Sequence, residues 1–578
     1  MSLTEWFDAE YEKELMLSPL GLTMQGRKER YGELDDFSKK GFDERLALKK
    51  ASVEELKAKF DYASLSPAEK VSYDVWVYQY EEMAASEPFF YDGYTFHQMD
   101  GPQSFAATFL INFHTVESES DLEALISRLK ELGRVMGQLV EGANIGLEKG
   151  TRYPKFALEG TITQARAIIT GKPFTDGDED SALWADIKTE VEKLQKSGTL
   201  DEAKAKAHLA AARTALVEIV KPAYDEIIAW AEAQLPKAMK VATGVGAQPN
   251  GAAFYRQALS AQTTTQMTPD EIHALGLAEV ARLQEEMKGV MKQVKFKGDL
   301  QAFFKKVREG KWNYYPDTDE GRVAYITDAK AAIDNIETRL PDFFNLMPKA
   351  QLVVKRVEPF RERDGAAQHY FPSTPDGSRP GTYYAHLSDM TAMPKNQLEV
   401  IAYHEGIPGH HMQIAIAQEL TEVPKFRTQS FFTAYAEGWA LYAEKLAKEM
   451  PGTYKDPYSE FGRLTSEIFR AIRLVVDTGL HAKGWNEQKA IEYFSANSPE
   501  PLESITSEVR RYMVMPGQAT CYKIGMIKVL ALRAKAEAAL GEAFDIRAFH
   551  DALLEGGGVP LEILERQVDL YIASARAA

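Results

Sequence analysis

Long stretches of this chain place apolar residues at intervals of three and four, and that periodicity leaves room for little besides helices. It runs through 121–143, 181–197, 199–235, 269–293 and 328–344, with Lys and Glu filling the opposite faces. Each stretch reads as a long amphipathic helix. Thr268-Pro269-Asp270-Glu271 adds a start signal: Thr268 is suited to cap the helix, and Pro269 falls at the first helical position, where a missing amide hydrogen costs nothing. The pattern changes only between about 351 and 389. There 351–357, 368–371 and 382–387, separated by Pro, Gly and Asp, read as strands of a small sheet. The expected class is mainly α: a large helical fold with a small β-sheet and a central cleft.

At 578 residues the chain exceeds the usual size of one hydrophobic core. The Gly- and Asp-rich stretch 171–180 and the Gly- and Pro-rich stretch 244–251 are candidate linkers. The expected division is an N-terminal helical lobe, 1–243, a helical connecting region, 244–350, and a lobe, 351–578, that carries the sheet and the chemistry.

That chemistry is concentrated in His404-Glu405-Gly406-Ile407-Pro408-Gly409-His410-His411, which holds three of the eleven histidines. In the H-E-x-x-H helix of zinc hydrolases, two histidines one turn apart hold the metal and the glutamate acts on water. Here two extra residues intervene before His410. On a straight helix, residues six apart are separated by about 9 Å of rise and point about 120° apart, so they cannot share an ion. Pro408 lacks an amide hydrogen and its ring collides with the carbonyl of His404, while Gly406 and Gly409 tolerate unusual backbone angles. A break at 406–409 would bring His410 back beside His404.

A catalytic zinc needs a third protein ligand. Glu437 is the candidate, because it sits in the middle of 430–444, a helix apolar on nearly every side, where an ionised carboxylate is costly unless it is paired or bound to a cation. The result would be a His, His, Glu site with Glu405 as the base. Any one of these residues alone is ordinarily a surface residue; the four together are hard to explain as solvated surface.

HEGIPGHHMQ, AYAEGWALYAE, RLVVDTGLHAKGW and YMVMPGQATCYKIG, with GTYYAHLSD at 381–389, TPDEIHALGLAEV at 268–280 and FHDALLEGGGVPLEIL at 549–564, resemble the bacterial domain-of-unknown-function 885 family. The resemblance covers most of the chain. It implies a helical fold related to gluzincin-type metallopeptidases, similar in plan to angiotensin-converting enzyme and carboxypeptidase Taq, with one zinc per chain on His404, His410 and Glu437. The H-E-x-x-x-x-H spacing departs from those peptidases, with dipeptidyl peptidase III as a precedent for a lengthened motif. It leaves His410 and His411 as alternatives for the second ligand.

Hydrolysis of an amide produces an oxyanion that needs a hydrogen-bond donor. Tyr522 is the first choice, with Tyr512 and His481 behind it. Asp477 lies one helical turn from His481 and could pair with it. Arg510 and Arg511 could hold a terminal carboxylate in bidentate fashion, with a surface salt bridge as the alternative for at least one of them. The strand at 382–387, with Tyr384, is the candidate edge for pairing with an extended peptide. The expected activity is cleavage of peptides or small amides, as a carboxypeptidase or oligopeptidase. The alternative is a helical peptide-binding protein with a degenerate or structural metal site.

A formal charge of −17 argues against nucleic-acid binding. Neither a membrane-spanning segment nor a secretory leader is expected. The location reads as periplasmic or exported if a leader was removed, and otherwise cytoplasmic. Cys521, the single cysteine, excludes an intrachain disulfide and reads as a small buried side chain.

Overall fold

The computed structural model describes residues 1–357, 368–374 and 379–577. It is mainly helical, with one three-stranded sheet among the described residues. Two compact units are present: Asp8–Asp61 with Gln79–Phe254, and Met1–Phe7 with Tyr62–Tyr78 and Tyr255–Ala578.

In the first unit, helix α1 (Glu119–Glu148) covers the periodic stretch at 121–143. It opens on a capping box in which Ser118 and Asp121 satisfy each other's backbone amides. The stretch at 199–235 becomes Glu202–Ala215 and Lys221–Gln234 joined by a π turn at Leu216–Val220. Pro222 cannot donate a helical hydrogen bond, and the widened turn accommodates it. The stretch 171–180 is not a linker between units. It is a loop closed on itself by Lys172 N donating to Glu179 O at 2.8 Å and Ser181 N donating to Lys172 O at 2.9 Å.

In the second unit, α2 (Pro269–Gln293) begins at the Thr268 cap, completed by Glu271. Helix α3 (Asp319–Glu337) starts earlier than the periodicity at 328–344 suggested, because the Thr318 side chain accepts from Gly321 N. It also ends earlier, ahead of the 3-10 turn at Leu340–Asp342 that contains Pro341.

The sheet consists of β1 (Leu352–Arg356), β2 (His369–Phe371) and β3 (Gly381–Ala385), in the order β1-β3-β2. β1 runs parallel to β3 and β2 antiparallel to it. The three strands fall where the sequence placed them, but β3 is central rather than an edge. Tyr384 is opposite Lys355 on one side and His369 on the other, so its backbone has no free side for a peptide. Lateral order depends on how the chain returns to the sheet, which local sequence does not encode.

Six helices complete the part of this unit that carries the site: α4 (Leu398–Glu405), α5 (His410–Gln418), α6 (Thr433–Ala447), α7 (Pro457–Ala482), α8 (Leu502–Val514) and α9 (Cys521–Leu540). Nearly every residue of α6 is buried, as its composition requires, and each large side chain such as Leu441 contributes roughly 1.5–3 kcal/mol by leaving water. Helices α6 and α9 touch backbone to backbone. A Cβ added at Gly438 would stand 2.5 Å from the Gly525 backbone, so glycine is needed at this crossing. Among the described residues no helix is long and apolar enough to cross a membrane.

Candidate metal centre

The break expected at 406–409 is present. Helix α4 makes its last bond from Gly406 N to Ala402 O, at 2.9 Å, and His411 N donates back to Gly406 O, at 3.1 Å, as α5 begins. Between them Gly409 runs so close to the His404 and Tyr403 carbonyls that no Cβ would fit. Trp439 Nε1 on α6 donates to Pro408 O at 2.8 Å and holds the break against the neighbouring helix. The His404 and His410 rings consequently stand 4.8 Å apart, centre to centre, at 88°.

Glu437 completes the cluster from α6. Its Oε2 lies 3.5 Å from His404 Nε2 and 3.4 Å from His410 Nε2, and one ligand atom from each of the three residues falls within 4.8 Å of the others. These separations are long for hydrogen bonds. They match a tetrahedral zinc: bonds of about 2.0–2.1 Å at a tetrahedral angle put two ligand atoms about 3.3–3.4 Å apart. Glu437 Oε2 is buried without a hydrogen-bond partner, so the donor set and its orphaned oxygen both fit a cation.

His404 Nδ1 is engaged by Glu444 Oε1 at 2.7 Å. A carboxylate behind a ligating imidazole fixes its orientation and leaves the other nitrogen to the metal. Glu444 was not singled out from the sequence, although a signal was there: it follows Glu437 by seven residues, two helical turns, on the same face of α6. His410 has no such support, and its Nδ1 is buried without a partner.

His411 lies elsewhere. Its Nδ1 is 2.9 Å from the Tyr370 hydroxyl and its Nε2 is 3.0 Å from Ala350 O, so both ring nitrogens are occupied. Of the two alternatives, the convergent one is His410.

The electrostatics follow from burial among opposed charges. Burial disfavours the charged His404 imidazole, yet the adjacent Glu437 and Glu444 carboxylates and the charge of Glu405 outweigh it and raise the group to about 9. Burial also works against the Glu437 carboxylate, but His410 and His404 hold it well below the usual range. Glu405 is raised, first by burial and also by Glu437, against the opposing charges of His404, His410 and Arg470. A metal ion would take the place of the protons on this cluster.

Tyr522, at the start of α9, is buried. Its acidity is lowered first by burial and then by the negative charge of Glu437. Arg511 Nη2 donates to Gln518 Oε1 at 2.8 Å and approaches the Tyr522 hydroxyl at 3.4 Å. Arg510 points away, in a salt bridge to Glu487 at 2.7 Å on a half-exposed face. The Tyr512 hydroxyl is 2.8 Å from Glu508 Oε2 and accepts from Arg473 Nε at 3.0 Å, so it supports neighbouring side chains rather than facing the histidines.

His481 is not among the converging groups. Its Nε2 bonds Tyr512 O at 3.0 Å, its ring lies against Tyr255, and burial lowers it to about 4. Asp477 does not pair with it: the Asp477 carboxylate accepts from the Tyr255 hydroxyl at 2.5 Å and from Gly517 N. Cys521 is buried, with Sγ 2.9 Å from Gln518 O.

Tyr384 stacks on His369 and meets Phe371 edge-on. Strand alternation turns its neighbour Tyr383 to the opposite face, where that fully buried ring feels the charge of Glu405 and shares a 3.0 Å hydrogen bond with Tyr325. Tyr383 and Tyr384 thus lie on opposite faces of β3, with Tyr384 packed against the His369 and Phe371 rings of β2.

Fold and site together define a mainly helical protein with a largely buried His, His, Glu convergence able to hold a metal ion. Residues 19–568 match the family described as "Bacterial protein of unknown function (DUF885)", and the chain belongs to that family. The structure is similar to that of a "putative lipoprotein from Colwellia psychrerythraea", with 28% identity, a TM-score of 0.92 and 99% of each chain covered. A second, a "putative lipoprotein of unknown function from Shewanella oneidensis", shares the fold at 19% identity and a TM-score of 0.74, over 98% of this chain and 99% of the other. A match to a "putative oligoendopeptidase F from Bacillus anthracis str. Ames", at 14% identity over 92% of this chain and 95% of the other, has a TM-score of 0.29, too low to indicate a common fold. No curated protein matches the chain.

Proposed function

We propose that this chain is a zinc-dependent hydrolase of peptides or small amides, with one zinc on His404, His410 and Glu437. The observation that carries this reading is the approach of both histidine Nε2 atoms to a single Glu437 oxygen, at 3.5 and 3.4 Å, with that oxygen buried and unpartnered. Zinc at such a site supplies Lewis acidity, which acidifies water and polarises an amide carbonyl.

The chain's own groups supply the rest. Glu405 follows the first ligand, and burial raises its carboxyl toward the working pH, as suits a general base. One of its carboxylate oxygens takes a proton from the attacking water and returns it to the departing amine nitrogen. The Tyr522 hydroxyl donates to the oxyanion, with Arg511 beside it. An exported location fits the description of the Colwellia neighbour as a lipoprotein.

The test is elemental analysis of protein purified without chelators or metal-affinity columns, followed by incubation with a peptide library. About one zinc per chain, with cleavage abolished by chelation and restored by zinc, is the expected result. Peptide affinity that survives chelation, without cleaved product, would instead identify a peptide-binding protein.

A further inference from the structure

We propose that Arg470, Arg473 and Arg511 form a subsite for a substrate carboxylate, first of all the C-terminal one, which makes the enzyme a carboxypeptidase-type exopeptidase. This rests on the hydrolase reading above and adds the substrate class.

Arg470 and Arg473 lie one turn apart on α7 and share a face. Their guanidinium carbons stand 5.9 and 4.6 Å from the centre of the Tyr522 ring. Arg473 is 4% exposed. Its Nε is spent on the Tyr512 hydroxyl and its Nη2 on Glu508 at 2.8 Å, but its Nη1 is buried without a partner. Arg470 Nη1 donates to Ser466 Oγ at 2.7 Å, and its Nε is likewise buried and unpartnered. Arg511 adds a third guanidinium, whose Nη2 is 3.4 Å from the Tyr522 hydroxyl. Buried guanidinium N–H groups without acceptors are costly, and here two stand on one face.

The anionic groups nearby do not satisfy them. Glu508 is committed to Arg473 and Tyr512 and pairs with Arg511 Nη1 at 3.6 Å, and Glu500 accepts from Gln397 Nε2 at 3.2 Å, its carboxyl raised by burial. A carboxylate supplies the missing acceptors, because its two oxygens match guanidinium donors. The location suits a chain end. Arg470 and Arg473 stand against the Tyr522 ring on α9, and α9 touches α6 where Gly525 meets Gly438, the residue after Glu437, so a carboxylate held here lies on the helix pair that carries the candidate ligand.

The experiment uses three peptide pools: neutral hexapeptides with a free C-terminus, the same peptides amidated, and amidated peptides carrying one internal Glu. Cleavage is read by mass spectrometry. Binding to the metal-free protein is measured in parallel by calorimetry with one acid and amide pair, N-acetyl-Gly-Phe and its amide. The expected result is removal of C-terminal residues from the first pool only, with acid bound at least about tenfold more tightly than amide and that preference lost in Arg470→Gln. Cleavage of the internal-Glu pool, but not the plain amidated one, would overturn the terminal assignment in favour of a side-chain carboxylate. Equal binding of acid and amide would overturn the subsite whatever the cleavage result. Preferential acid binding with no cleavage of any pool would leave the subsite standing and fail the hydrolase reading. Because the comparison varies the ligand, it does not depend on a variant that folds.

Discussion

His404 Nδ1 lies 2.7 Å from Oε1 of Glu444, so the imidazole whose Nε2 faces Glu437 is steadied from behind by a second carboxylate of the same helix. Both glutamates project from one face of α6, seven residues apart, and share a single histidine. Glu444→Gln should therefore lower zinc affinity about 10–100-fold while leaving the fold intact. Competition with a chromogenic chelator measures this, and unchanged affinity would remove Glu444 from the site.

Glu405→Gln separates binding from chemistry. The variant should keep its zinc and lose about 100-fold or more in turnover of any peptide the wild type cleaves. Turnover that persists at the wild-type rate would rule out Glu405 as the base.

His410→Ala and His411→Ala should behave oppositely. The first removes a converging Nε2 and should abolish stoichiometric zinc; the second breaks bonds to Tyr370 and Ala350 and should reduce stability while zinc is retained. Metal content and thermal unfolding of the pair decide it, and zinc lost only from the His411 variant would reverse the assignment.

Glu508 should give the protein an acid-labile component. Burial opposes its ionisation, but Arg473 and Arg511 hold the carboxyl down at about 2, whereas an unfolded glutamate titrates near about 4.3. The folded state thus binds fewer protons between those values. The stabilisation, up to roughly 3 kcal/mol, is complete above pH about 4.3 and disappears as pH falls toward 2. Urea midpoints between pH 6 and 3 should drop more steeply in the wild type than in Glu508→Gln; parallel curves would contradict the assignment.

Gly525→Ala tests the helix crossing that seats Tyr522. The new methyl would strike the Ala434 carbonyl and the Gly438 backbone, and the helices would have to separate, at a cost of about 1–3 kcal/mol. A calorimetric melting temperature equal to that of the wild type would show that the crossing tolerates a side chain.

The sequence by itself determined what short-range physics controls. The helical periodicity, the Thr268 cap, the break imposed by Gly406, Pro408 and Gly409, and the mostly buried helix that carries Glu437 each follow from a few adjacent residues, and each is present. Together they pointed to His404, Glu437 and one of His410 and His411, and the packing brings His410 to the other two. Only the tertiary structure decided how separate elements meet. Strand order made β3 central and removed the edge proposed for Tyr384, and helix packing gave Tyr383 its hydrogen bond to Tyr325. Helix packing sent His411 to Tyr370 and His481 to the Tyr512 carbonyl, and it gathered Arg470, Arg473 and Arg511 around Tyr522. A side chain's local pattern fixes its face on one element; its partner is fixed by which other face is laid against it, and that is written across hundreds of residues rather than within a motif.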